Sequence, residues 1–196
     1  MADAHRNHPP DFWEDLLRLI DAELEEPHTL VIIGGAAIGL RYNRAHLTTD
    51  IDSVTSTRDR RLWAAIERAC RKMKEQASLE ELPKVSSSGV FDPPEDWESR
   101  LRSLKRLKLK HLDVKLPERH DLAISKVSRG DTRDFEAIRA MHEEKPFLLP
   151  TLVKRYEEAR RVRVGDPRRF KMNFLSLVAT LFGDEAADGV APRLKV

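Results

Sequence analysis

Residues 30–35, LVIIGG, constrain the fold more than any other stretch. A continuous apolar run this short, closed by two glycines, reads as a buried strand entering a tight turn. Residues 36–42 can leave that turn as a short helix, and residues 51–56, IDSVTS, alternate as a second strand. Ahead of them, residues 11–25 read as a helix with Phe12, Leu16, Leu19 or Ile20, and Leu24 on one face and Asp11 as its cap. Behind them, residues 58–76 place Leu62, Ile66, Ala69 and Met73 on one stripe, with Cys70 beside it as a core thiol.

The rest of the chain is helical apart from one stretch. Residues 77–99 read as a surface loop, with a strand near Lys84 and Val85. Residues 100–116 do not fit one continuous phase and read as two strands joined near 106–110. The second places Leu112, Val114 and Leu116 on one face and Asp113 and Lys115 on the other. Pro117 starts a helix that Gly130 stops, and Asp131 starts another with Phe135, Ile138 and Met141 inward. Helices over 151–163 and 167–182 follow, and the tail after Gly183 is expected to fray. The order predicts an α/β (α+β) chain, a small mixed sheet flanked by helices with a helical C-terminal part.

The 196 residues fit one globular domain with a small helical appendage. No apolar stretch approaches the roughly 20 residues needed to span a bilayer, and no apolar core follows a basic start, so a reducing cytoplasm is expected. A lone cysteine forms neither an internal disulfide nor a Cys-based zinc site. His5 and His8 lie in a terminus expected to be disordered, and His111 and His120 are read as surface residues.

Net charge is +2, but unevenly spread. Residues 1–30 hold eight acids and two bases, residues 100–115 seven bases and one acid, and residues 154–171 eight bases and three acids. The two basic segments either form a footprint for nucleic acid or nucleotide phosphate, or solvate strand and helix faces. They lack interleaved aromatics, so base stacking is not indicated.

The chemistry lies in residues 31–54. Asp50 and Asp52 are separated by one residue, so on a strand both carboxylates project from one face while Ile51 points inward. Two convergent carboxylates suit a hard divalent cation, Mg²⁺ or Mn²⁺, which takes oxygen ligands and keeps positions open for phosphates. Gly34 and Gly35 allow close backbone approach to a phosphate. Together these parts suit metal-assisted phosphoryl or nucleotidyl transfer. The bland reading makes the glycines a turn and the aspartates solvated strand residues.

The pattern of apolar strand, Gly-Gly, short helix and Thr-x-Asp-x-Asp resembles the signature of the nucleotidyltransferase fold shared with DNA polymerase beta. More narrowly, GGAAIGLRY and TTDID followed by LDVKLPERHDLAISKVSRGDTRDF resemble the AbiEii-like nucleotidyltransferases, a group that includes toxins of toxin–antitoxin systems. The resemblance covers roughly residues 28–145. It divides the chain into an N-terminal helix (1–27), a nucleotidyltransferase-like domain (28–145), C-terminal helices (146–183) and a flexible tail (184–196).

The narrowing motif is Asp121-x4-Lys126 with Arg133-Asp134. Lys126 could neutralise a triphosphate, and Asp134 could bind metal, orient Lys126 or accept a proton. Equally, Lys126 could be an exposed helix lysine, Asp131 and Asp134 helix-capping residues, and Asp121 a cap. Enzymes of this fold often add a third carboxylate, for which Asp113 is the candidate. Two features depart from the pattern: Gly35 stands where many relatives have Ser, and fourteen residues separate it from Asp50, among them Arg41, Arg44 and His46 as phosphate contacts.

The resemblance implies transfer of NMP from an NTP to a hydroxyl of an RNA such as tRNA, or of a protein, with a cognate antitoxin as a further partner. The alternatives are a non-catalytic module of the same fold binding RNA or a protein, and a toxin–antitoxin subunit working mainly through complex formation, with Phe12 and Trp13 at an interface.

Overall fold

Pro10 suits the first turn of a helix, where its missing N–H would have no partner. Helix α1 accordingly spans Pro10–Ala22. Its buried face is Trp13, Leu16, Leu17 and Ile20; of the expected stripe Leu16, Ile20 and Leu24 are buried, and Trp13 goes inward in place of Phe12. The large indole goes inward, and Phe12 instead stacks on His8 with ring centroids 3.8 Å apart. The computed structural model describes residues 7–87 and 90–195. His5 lies outside the described residues, and His8 is ordered by a backbone bridge to Thr48.

Strand β1, His28–Ile33, runs into α2, Gly34–Ala37, which continues as a π-helical turn over Ile38–Tyr42. Strand β2 is Asp50–Ser53, shorter than the expected 51–56. It stops there because the Ser53 hydroxyl accepts from the Thr55 N–H and turns the chain. Helix α3, Arg60–Gln76, starts at Asp59, whose carboxylate accepts from Leu62 N. Its buried stripe is the expected one, and burial pushes the Cys70 thiol up to about 11. Strand β3 is Lys84–Ser86, β4 Arg102–Ser103 and β5 Leu112–Leu116.

The sheet order is β3-β2-β1-β5-β4. Strands β1 and β5 are parallel, as are β2 and β3, while β1–β2 and β4–β5 are antiparallel. The register sorts the side chains into two faces. Leu30, Ile32, Ile51, Val114 and Leu116 share the apolar face and are buried, with α1 packed on β5 and on α3. Thr29, Asp50, Asp52, Lys84, Ser86, Asp113 and Lys115 share the polar face.

The chain divides into two compact units. The elements above belong to the first, Met1–Val90 with Leu101–Leu116; the second is Phe91–Arg100 with Pro117–Val196. The second unit is helical: α4 Arg119–Arg129, α5 Thr132–Glu144, α6 Leu149–Val162, α7 Pro167–Phe182 and α8 Asp184–Val190. Its centre is Tyr156 stacked against Phe170 and Phe174, at 4.7 and 4.6 Å between centroids. Helices α4 and α5 group with the later helices in the second unit. The tail expected to fray folds as α8 and a 3₁₀ turn. Val190 and Leu194 are buried, Lys171 Nζ donates to the Leu194 carbonyl at 2.7 Å, and the Tyr156 hydroxyl donates to the Lys195 carbonyl at 3.2 Å. Among the described residues no helix is long and apolar enough to cross a membrane.

Candidate functional site

Alternation on β2 puts the Asp50 and Asp52 side chains on one face, with Ile51 fully buried on the other. The antiparallel register sets Asp52 opposite Ile33, the residue before the glycine turn. Gly34 has φ +66°, a conformation glycine adopts without strain. A Cβ there would stand 3.4 Å from Asp52 Oδ2, so the turn lies directly beside the carboxylate. The first unit therefore brings Gly34, Gly35, Asp50 and Asp52 together.

Gly35 is enclosed. A Cβ on it would meet Thr48 Oγ1 at 2.9 Å and His46 Nε2 at 3.2 Å. The space that a serine would fill already holds the Thr48 side chain, whose hydroxyl donates to the Asp50 carbonyl at 3.3 Å. The missing hydroxyl at position 35 is thus accompanied by another beside the same turn.

Strand β3 supplies neighbours that sequence reasoning left out of the site. Its register pairs Asp50 with Lys84 and Asp52 with Ser86. Lys84 Nζ lies 3.9 Å from Asp50 Oδ2, and the Ser86 hydroxyl donates to Asp52 Oδ1 at 3.0 Å. Their one-residue spacing is visible in the sequence, but the register that pairs them with Asp50 and Asp52 is not.

Asp113 shares the polar face but stands elsewhere. It pairs with Thr29, four residues along β1 from Ile33, which is roughly 13 Å at about 3.3 Å per residue. Its carboxylate lies 3.5 Å from Lys115 Nζ. Register, which periodicity does not encode, keeps it from the Asp50–Asp52 pair. Among the described residues no group of three or more His, Cys, Asp or Glu is placed to hold a metal ion. The two-carboxylate donor set still fits Mg²⁺, which is commonly held by one or two carboxylates with substrate phosphates and water completing the shell.

Two of the arginines offered to phosphate are engaged. Arg44 binds Asp11 and Glu14, and Arg41 donates to the Ser103 carbonyl at 3.4 Å. Burial works to raise the Glu14 carboxyl, but Arg106 and Arg44 outweigh it and hold it below the usual range.

Lys126 and Asp134 belong to the second unit. Both are buried, and Lys126 Nζ donates to Asp134 Oδ1 at 2.8 Å. Arg129 adds bonds of 2.8 and 2.6 Å to the same carboxylate. Burial works to raise the Asp134 carboxyl, but Arg129 and Lys126 hold it below the usual range. The ion pair accounts for burying both charges and joins α4 to α5. Asp131 occupies the N-cap position of α5 without a side-chain bond.

Asp121 is fully buried in α4, 2.9 Å from Arg100 Nε and 3.1 Å from Arg155 Nε. Burial pushes its carboxyl up, against the pull of both arginines. The α4 cap is Glu118. His120 is buried, not a surface residue: its Nε2 accepts from Leu148 N, which leaves Nδ1 to donate to Glu118 at 2.9 Å.

No curated protein and no solved structure matches the chain. The family model that does match covers residues 13–179, wider than the motifs from Gly34 to Asp134 and including α1 and most of α7. With a glycine turn set against an Asp-x-Asp strand, the chain belongs to the family described as nucleotidyltransferase of unknown function (DUF6036).

Proposed function

We propose that the protein transfers a nucleoside monophosphate from an NTP to a hydroxyl of an RNA, such as a tRNA end, releasing pyrophosphate. The observation that carries this reading is the approach of the Gly34 backbone to Asp52 beside Asp50. Asp50 and Asp52 would hold Mg²⁺ or Mn²⁺. Bound there, the cation would neutralise charge building on the phosphates. Gly34 lets the triphosphate approach the main chain, and Ser86 and Lys84 orient the two carboxylates from β3. The acceptor oxygen forms its bond to the α-phosphorus as the bond to the β-phosphate oxygen breaks. Pyrophosphate leaves with that electron pair, and the acceptor proton passes to water, which reaches the half-exposed pair.

The assay incubates the protein with each α-labelled NTP, Mg²⁺ and total RNA, and in parallel with its own polypeptide as acceptor. Label should enter RNA with wild type and fall at least about a thousandfold in Asp50→Asn/Asp52→Asn. Equal transfer by both proteins would remove the reading. Resemblance of the Gly34–Asp52 and Asp113–Asp134 motifs to AbiEii-like chains supports a toxin role with a cognate antitoxin. Growth arrest on expression of wild type but not of the double variant tests it.

A second reading has its own support. Lys84 beside Asp50 already supplies a positive partner to one carboxylate, as a fold kept for binding alone would need. That module would bind RNA with no dependence on Mg²⁺ or on Asp50 and Asp52.

A further inference from the structure

The two basic segments have different fates. In the segment 154–171, Arg155 faces Asp121 and Glu158, Arg160 bonds Glu157, and Arg163 bonds Ser128 and stacks on Phe170. Those three charges are spent inside the second unit, while Lys154 and Arg161 stay 70% and 63% exposed. In the segment 100–115, Arg100 goes to Asp121, Arg106 to Glu14 and Lys115 to Asp113. Of the four that remain, Arg102 lies on β4, and Lys105, Lys108 and Lys110 lie together between β4 and β5. Among the described residues their side chains make no ion pair or hydrogen bond, and all three are exposed.

These three lysines line one cleft of the first unit, about 450 Å³ in volume, with Thr29, His111 and Asp113 in its wall. The cleft is held in shape. Asp21 of α1 accepts from the N–H groups of Lys110, His111 and Leu112 at 3.0, 2.7 and 2.8 Å. The chain bends sharply at Lys108, which has φ +50°. Among the described residues no acid pairs with these lysines: Asp113 faces Lys115, and the Asp21 carboxylate is taken by three backbone N–H groups.

We infer that this cleft binds the phosphate backbone of a single RNA strand, at a site separate from the Asp50–Asp52 pair. Three unneutralised lysines on a preorganised concave wall call for a polyanion. The Thr29 hydroxyl and the Asp113 carboxylate add hydrogen-bond acceptors for ribose hydroxyls and base amino groups. Concavity disfavours a membrane surface. Asp113 and Asp52 share the polar face of the sheet, about four residues apart along β1, so a strand, and not a mononucleotide, could reach from cleft to carboxylates. That last step alone rests on the proposed transfer reaction.

The test is fluorescence anisotropy of a labelled single-stranded oligoribonucleotide with the full chain, in a salt series without nucleotide or divalent metal. Lys105→Gln/Lys108→Gln/Lys110→Gln should weaken binding about tenfold or more at low salt. It should flatten the slope of log affinity against log salt by about 2, at about 0.7 per phosphate contact on a single strand. The deoxy strand of the same sequence should bind more weakly than RNA, and ATP in excess should not displace the strand. Unchanged affinity and slope in the triple variant overturns the site. Equal binding of DNA, displacement by ATP, or equally tight binding of polyglutamate overturns the assignment to an RNA strand. Because neither NTP nor metal is present, none of these results depends on nucleotidyl transfer. Label transfer that fails while RNA binding persists removes the reaction and leaves the cleft.

Discussion

Gly35 shows how little room surrounds the glycine turn. An added Cβ meets a β-branched side chain, Thr48, and an imidazole, His46, both within 3.2 Å. Threonine is stiff at χ1, so it cannot swing aside freely. Gly35→Ser should therefore cost about 1–3 kcal/mol in urea unfolding, the usual range for overpacking. In a Thr48→Ala background the same substitution should cost much less. Equal costs in both backgrounds would show that Thr48 is not what fills the space. Gly34 differs, because its Cβ would find ordinary contact distances and the penalty would come from φ +66° alone.

Helices α4 and α5 are joined by one carboxylate between two cations. Asp134→Asn leaves the buried Lys126 ammonium without its counter-charge, which should cost about 3 kcal/mol at about pH 6. Asp134 is held below the ordinary aspartate range, so its contribution is complete above that range and is lost as pH falls through the lowered value. Urea melts should thus show the gap between wild type and Asp134→Asn narrowing as pH falls below the ordinary aspartate range; a gap constant with pH would contradict the assignment. The legibility of such elements was uneven. Strand β1 could be read because its apolar run is continuous, and Asp50 and Asp52 because alternation is local. The pairing of Lys84 and Ser86 with them could not, because nothing local fixes the register of strands thirty residues apart. The tail was misread for the opposite reason. Among the described residues of the tail only Val190 and Leu194 are buried, and further anchors are backbone carbonyls taken by Lys171 and Tyr156, which leave no apolar pattern.

At the scale of the molecule, each unit has an apolar centre of its own: Trp13, Leu16 and Ile20 with the sheet in the first, Tyr156, Phe170 and Phe174 in the second. Opening one need not open the other. Phe174→Ala should cost about 3–5 kcal/mol. Native-state hydrogen exchange should show lost protection in α4, α6 and α7 before the amides of β1 and β5. Uniform loss across both units would mean that they unfold as one body. Charge teaches a related lesson. The two basic segments look alike by composition, yet in one Arg155, Arg160 and Arg163 are taken by internal partners and in the other three lysines stand around a cleft. Only the fold decides which acids come within reach.

The filled space at Gly35 also changes what inheritance can do with this turn. A hydroxyl can stand at position 35 or lean in from position 48, but the two compete for one volume. To selection these positions are a single character written in two places, and a lineage exchanging one form for the other must pass through an intermediate that is either crowded or hollow. Among related chains, serine at 35 should travel with a smaller residue at 48. A profile that demands serine after the first glycine would overlook sequences that carry the hydroxyl on the other side of the loop.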